Sequence, residues 1–91
     1  MNASSLTTPL IEMYTTLVCP YCVQAKQLLS KFGVAVKEIR VDLDSEQRAV
    51  MMQRSQRRTV PQIFINGQHI GGCDDLYALH HAGTLQPLLQ A

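Results

Sequence analysis

Two cysteines three residues apart, Cys19 and Cys22, enclose Pro20 and Tyr21 where a polar loop runs into a helical pattern. That arrangement suits thiol–disulfide exchange, in which the attacking species is a thiolate. The first-turn amides of a helix lack intrahelical acceptors and carry partial positive charge. A cysteine at the N-cap stands against that charge, and cysteines so placed titrate at about 3.5 to 7.5. Pro20 fits the first helical position, where its missing N–H costs nothing. Cys22 falls on the same helical side, within disulfide reach, and so can resolve a mixed disulfide formed on Cys19. Two other uses stay open. The pair could be half of a zinc site completed by Cys73 and His69, although these form no second C-x-x-C. It could also be two inert buried thiols, which the loop-to-helix position and Pro20 disfavour.

The elements that must position this pair are read from periodicity. Residues 1–9 are small and polar and are expected to be a flexible N-terminal extension, leaving residues 10–91 as a single domain. Residues 10–14 read as a central strand, and residues 15–20 as the loop carrying Cys19. Cys22, Ala25, Leu28, Leu29 and Phe32 recur at spacings of three and four, which predicts a helix ended by Gly33. Ile39, Val41 and Leu43 alternate with Glu38, Arg40 and Asp42, which predicts a second strand with the apolar three facing one way. Asp44 with Gln47 reads as an N-cap pair for a helix to about Arg54. Pro61 precedes a short buried strand at 62–65, Asn66-Gly67 signals a two-residue hairpin, and residues 68–70 return. Gly71-Gly72 breaks the backbone, and Asp74-Asp75 opens a helix to about Ala82. Thr84 is placed to cap a last short helix with Leu85, Leu88 and Leu89 inward; Pro87 in its first turn is tolerated. The order predicts an α/β fold whose first strand pair is parallel with a right-handed crossover and whose last pair is an antiparallel hairpin.

Composition narrows the function classes. Ninety-one residues admit one small domain. With 46% hydrophobic and 16% charged residues, the chain is globular rather than disordered. Eight Lys and Arg against seven Asp and Glu leave +1, so there is no basic excess to favour nucleic acid or an anionic membrane. The longest uncharged stretch, 76–91, contains Gly83, Pro87 and two histidines and is too short and polar to span a bilayer. No basic segment followed by an apolar run opens the chain, so no secretory signal is expected. Three cysteines are too few, and an odd number, for a disulfide-stapled secreted scaffold. A reducing, cytoplasmic setting is expected, with the cysteines serving chemistry.

Three motifs then make a resemblance specific. Cys19-Pro20-Tyr21-Cys22 follows a strand end at Tyr14-Thr15; Thr59-Val60-Pro61 comes next, and Gly71-Gly72-Cys73-Asp74-Asp75 last. This series resembles the glutaredoxins, and within them the bacterial dithiol glutaredoxins of the glutaredoxin 3 type, over residues 10–89. The resemblance implies a thioredoxin fold: a four-stranded mixed sheet in the order β-α-β-α-β-β-α-α, with helices on both faces.

The resemblance also implies a glutathione groove. It makes Val60–Pro61 a cis peptide bond, whereas the residues alone favour a trans proline opening an edge strand. It sets the Val60 backbone against the cysteinyl backbone of glutathione. It gives the γ-glutamyl carboxylate to the amides of Cys73 and Asp74, and the ammonium to the Asp74 side chain. Gly71-Gly72 leaves the backbone open to a ligand, and a helix N-terminus suits a carboxylate. Read from the residues alone, the same stretch is equally a turn with a dipole-favoured acid. Many glutaredoxins place a lysine two residues after the first strand's tyrosine to meet the glycyl carboxylate; Thr16 stands there instead. Arg57 or Arg58 could supply that charge, or both could belong to a solvated basic face with Arg48 and Arg54. Tyr21 is expected to line the groove, and Gln62 is a further polar candidate. The expected glutathione contacts are therefore Tyr21, Arg57, Arg58, Thr59, Val60, Pro61, Gly72, Cys73 and Asp74. The thiol of Cys73 is read as a bystander, and His69, His80 and His81 as structural.

The function implied is glutathione-dependent reduction of glutathione mixed disulfides and protein disulfides. Cys19 is the nucleophile and Cys22 the resolving thiol. No tightly bound cofactor or metal is expected. Glutathione is the reducing co-substrate, with electrons reaching it from NADPH through glutathione reductase. Glutathionylated and disulfide-containing proteins, ribonucleotide reductase among them, are the implied partners of a monomer that binds neither nucleic acid nor membrane. Three alternatives remain. A thioredoxin-like enzyme is disfavoured because the chain has no tryptophan. An iron–sulfur carrier is disfavoured by Pro20. A structural zinc module is the third.

Overall fold

A computed structural model describes residues 8–90; residues 1–7 of the expected extension lie outside them. The elements are β1 (Ile11–Thr15), α1 (Pro20–Ser30), β2 (Lys37–Arg40), α2 (Ser45–Ser55), β3 (Gln62–Ile65), β4 (Gln68–Gly71), α3 (Cys73–His81) and α4 (Leu85–Gln90). The four strands form one sheet in the order β2-β1-β3-β4. β1 and β2 are parallel; β1 with β3, and β3 with β4, are antiparallel.

Side chains alternate across the sheet, and each face gathers its own core. Ile11 and Met13 of β1 and Ile63 and Ile65 of β3 pack with Leu28 and Leu29 of α1, Leu76 of α3 and Leu85 of α4. On the opposite face Tyr14 and Phe64 pack with Met51 of α2 and with Val41. Helices thus cover both faces, as expected.

Local chemistry fixes the ends of these elements. Cys19 is the N-cap of α1 in an extended conformation, with Pro20 in the first turn. The Asp44 carboxylate caps α2, accepting the Glu46 and Gln47 N–H groups at 3.0 and 3.2 Å. Asn66 and Gly67 have φ of 51° and 83°, the two positive values a two-residue hairpin of this kind requires. Asn66 also anchors the turn to the entry of β1, its N–H donating to the Leu10 carbonyl at 2.7 Å.

Three expectations are corrected. β2 ends at Arg40, because its partner β1 ends at Thr15 and no ladder remains to extend it. Val41 is buried and donates to the Thr15 carbonyl at 2.9 Å, but Leu43 is 75% exposed rather than inward. The chain is already turning there, so that Asp44 can cap α2. Helix α3 begins at Cys73 rather than Asp74, with Gly72 as its N-cap. The Thr84 hydroxyl donates back to the Leu79 carbonyl at 3.2 Å instead of capping α4. Among the described residues, no helix is long and apolar enough to cross a membrane.

Candidate active site

Strand register brings the three motifs to one end of the sheet. Tyr14, near the end of β1, pairs with Gln62 at the start of β3, and Ile63 pairs with Gly71 at the end of β4. The loop out of β1, the loop into β3 and the turn out of β4 therefore meet. They carry Cys19, Val60-Pro61 and Gly72-Cys73 respectively.

Cys19 and Cys22 are joined as a disulfide, with their Cα atoms 5.2 Å apart. The Cys22 N–H donates to the Cys19 sulfur at 3.1 Å. When the pair is reduced, that donor and the first turn of α1 favour negative charge on Cys19. The two cysteines differ in access as residues. Cys22 is 2% exposed and Cys19 9%, which leaves Cys19 as the one an incoming group can reach. The Cys19 sulfur lies 3.8 Å from the Val60 carbonyl. Val60–Pro61 is a cis peptide bond, as the resemblance implied.

A groove of about 300 Å³ runs beside this pair. It is lined by Tyr21, Arg57, Thr59, Val60, Pro61, Gly72, Cys73, Asp74 and Asp75. The two walls meet at Gly72, where a Cβ would stand 3.4 Å from the Pro61 carbonyl, an ordinary contact. By helix geometry the amides at the start of α3 have no intrahelical acceptor. The Gly72 amide is satisfied by the Asp75 carboxylate at 2.9 Å, and the next two residues, Cys73 and Asp74, line the groove.

All the expected groove residues but one line it. Arg58 does not; it is exposed, and its carbonyl accepts from Arg48 Nη2 at 3.5 Å. Arg57 is the cation at the groove, and its Nη1 donates to Asp75 Oδ2 at 2.8 Å. The Arg57 hydrogen bond, then the Gly72 N–H, hold the Asp75 carboxyl below the usual carboxylate range. The residues alone gave Asp75 no site role; the available signal was only its place in the first helical turn, three residues after Gly72, from where an acid can reach back to the N-cap N–H. Arg54 departs from the solvated basic face. Its guanidinium bonds the Tyr14 hydroxyl at 2.8 Å and Glu12 at 3.2 Å, and lies 3.8 Å from the Phe64 ring centroid.

Gln62 supports the groove from behind. It is wholly buried, and its Nε2 donates to the Thr59 carbonyl at 3.0 Å and hydroxyl at 3.3 Å. Its Oε1 faces His69 Nε2 at 2.8 Å, which requires that ring nitrogen to carry the proton. Burial, then the charge of Arg57, lowers the His69 pKa from its ordinary value. The residues alone gave no sign that His69 and Gln62 would meet. His80 and His81 are exposed in the last turn of α3.

Burial, reinforced by Asp74, pushes the Cys73 thiol up. Its sulfur lies 3.9 Å from Gln24 Oε1. Among the described residues, no group of three or more His, Cys, Asp or Glu is placed to hold a metal ion. Thr16 is half-buried, with its hydroxyl 3.5 Å from the Val18 carbonyl.

Known proteins are similar to this chain in sequence and in fold. The glutaredoxin family pattern matches residues 11–70. Glutaredoxin 3 of Escherichia coli strain K12 is 56% identical over 80 residues, covering 88% of this chain and 96% of the relative. A glutaredoxin from Brucella melitensis, solved in solution, is 49% identical with a TM-score of 0.79, covering 89% of this chain and 88% of its own. A crystal structure of a buckwheat glutaredoxin–glutathione complex superposes with a TM-score of 0.81 at 33% identity, covering 94% of this chain and 82% of the other. The fold is thus thioredoxin-like.

Proposed function

The chain belongs to the glutaredoxin family, and from that premise we propose that it reduces glutathione mixed disulfides and protein disulfides with glutathione as its reducing co-substrate. Membership itself makes it a thiol–disulfide oxidoreductase with Cys19 and Cys22 as its redox pair. The groove beside Cys19 carries the finer reading. It offers a backbone wall at Thr59-Val60-Pro61, the start of a helix at Gly72-Cys73-Asp74, and Arg57 beside them. A tripeptide with two carboxylates needs such features. The buckwheat relative is a glutathione complex, which supports the same reading.

The Cys-Pro-Tyr-Cys segment supplies two routes. In the first, the Cys19 thiolate attacks the glutathionyl sulfur of a mixed disulfide, and the substrate thiolate leaves and takes a proton. A second glutathione thiolate then attacks the glutathionyl sulfur on Cys19, releasing glutathione disulfide and the Cys19 thiolate. In the second, Cys19 attacks a protein disulfide, and Cys22 attacks the Cys19 sulfur of the adduct. The protein leaves reduced, with Cys19–Cys22 oxidised, and two glutathione molecules restore the dithiol. The domain spans residues 10–91 and works as a cytoplasmic monomer. Glutathione reductase and NADPH regenerate the glutathione.

The test is glutathione-coupled reduction of a small glutathione mixed disulfide by wild type, Cys19→Ser and Cys22→Ser. Cys19→Ser is expected to be inactive and Cys22→Ser active. A reduced wild type with no activity overturns the glutathione reading.

A further inference from the structure

The loop between β1 and α1 presents apolar side chains to solvent next to Cys19 and outside the groove. Leu17 is 73% exposed and Val18, the residue next to Cys19, 86%. Neither lines the glutathione groove. Tyr21, at 59%, extends the apolar surface beyond the sulfur. The loop is held in place: the Leu17 N–H donates to Asp42 Oδ2 at 3.2 Å, and the Thr15 hydroxyl to Glu38 Oε2 at 2.7 Å. Both acids that grip it are already neutralised, Asp42 by Arg40 at 2.7 Å and Glu38 by Lys26 at 3.1 Å. Residues 15–18 carry no charge of their own.

We infer that Leu17 and Val18 determine specificity among protein disulfides, selecting those whose cysteines are flanked by apolar, uncharged residues. The inference rests on the proposed function, since it names the protein substrates of the same nucleophile. Its occupant follows from the bond that must form. A substrate cysteine joined to Cys19 has its Cα roughly 4.4–6.8 Å from that of Cys19. The residues beside it in the substrate, about 3.8 Å further along, are then laid against the neighbours of Cys19. Outside the groove those neighbours are Val18 and Leu17. Apolar flanking residues would bury this surface. A charged one would lose water there and find no free counter-ion, because every acid and base gripping the loop is paired.

The exchange step is the one already written. Cys19 bonds one substrate sulfur, the other leaves as a thiolate and takes a proton, and Cys22 releases the first by attacking Cys19. Fully reduced protein performs one such round without glutathione, giving up the two electrons of its dithiol and ending as the Cys19–Cys22 disulfide. That round can therefore be followed with two cyclic disulfide peptides, one with leucines and one with glutamates flanking the cysteines. Each rate is divided by that with dithiothreitol, which removes intrinsic reactivity. The expected wild-type preference for the leucine peptide is roughly five- to tenfold, the scale that partial burial of two aliphatic side chains supports.

Leu17→Ser with Val18→Thr is expected to bring that ratio near one. Leu17→Lys is expected to shift it toward the glutamate peptide, a gain that misfolding cannot imitate. Equal wild-type rates overturn the inference, as does a preference unchanged in both variants. If a second copy of the chain covers the loop, the preference disappears as concentration rises and a dimer sediments, which also overturns it. Turnover of the small glutathione mixed disulfide is measured on the same samples. Failure of that reaction alone, with the peptide preference intact, indicts the glutathione reading and leaves the specificity standing.

Discussion

Arg57 and Asp75 close one end of the groove, with Nη1 donating to Oδ2 at 2.8 Å, and the same oxygen accepts the Gly72 N–H at 2.9 Å. The guanidinium therefore reaches the groove already oriented, and its other donors, which bond no side chain among the described residues, suit a second carboxylate. Both side chains are nearly half exposed, at 48% and 43%, so the pair itself adds little stability. Its value lies in position.

Arg57→Ala is accordingly expected to raise KM for a glutathione mixed disulfide by roughly three- to tenfold, with kcat changed little, the size of one partly screened charge-assisted hydrogen bond. Arg58→Ala is expected to leave both constants within error, since Arg58 is not in the groove wall. Steady-state kinetics of the two variants decide it. Equal effects would mean that a diffuse basic field, not a placed guanidinium, attracts the ligand.

Gly71 has φ of +122°, and a Cβ there would run into the Asp75 carboxylate. Gly71→Ala is therefore expected to cost about 1–3 kcal/mol of stability from backbone strain. Displacing Asp75 adds to this by freeing the Gly72 amide and Arg57. Urea unfolding measures the first effect, and a rise in KM beyond that of Arg57→Ala the second. A variant as stable as wild type would show that the turn relaxes without cost.

The parts of this molecule legible in its sequence were those whose chemistry is local. The N-cap role of Cys19, the Asp44 cap and the Asn66-Gly67 turn each need only residues within a few positions. The cis bond at Pro61 and the groove contacts came from the family resemblance, because nothing in the residues alone distinguishes them. What stayed hidden depended on partners far along the chain. Leu43 follows an alternation that should continue, yet the strand stops because β1 ends at Thr15. Arg54 looked like part of a basic face until the fold set Tyr14, Glu12 and Phe64 beside it. Arg57 and Arg58 were equivalent as letters; in the fold Arg57 lines the groove and bonds Asp75, and Arg58 does neither.

Gln62 is fully buried and spans from Thr59 to His69. Gln62→Leu keeps the apolar bulk but leaves the Thr59 carbonyl and the His69 nitrogen without their partner. The expected loss is about 1 kcal/mol, the net worth of a hydrogen bond, because the Thr59 and His69 groups left behind are only partly buried and can turn to water. KM for the glutathione mixed disulfide is expected to rise as well, because Thr59 lines the groove. Gln62→Glu keeps the acceptor facing His69 but loses the donor to Thr59. It should therefore show the KM effect while retaining more of the His69 contact. If neither variant alters KM, Thr59 is held by its neighbours alone.

His69 gives the fold a pH dependence of defined sign. Burial, then Arg57, lowers its pKa from the ordinary 6.5, with Asp75 opposing and Arg54 reinforcing the shift. Between the folded and unfolded pKa values the unfolded chain binds more protons, so stability rises with pH in that window. The contribution is fully present above about 6.5 and is lost as pH falls through the lowered folded value. Asp75 and Glu38, whose carboxyls are also held low, act in the same direction but only in the acid range below the histidine window. Urea unfolding of wild type and His69→Gln from pH 5 to 8 isolates the histidine, because every other group titrates in both proteins. The wild type is expected to lose more stability than the variant on acidification across this range. Parallel curves would mean that His69 titrates alike in the folded and unfolded chains, and that its contact with Gln62 does not discriminate between its protonation states.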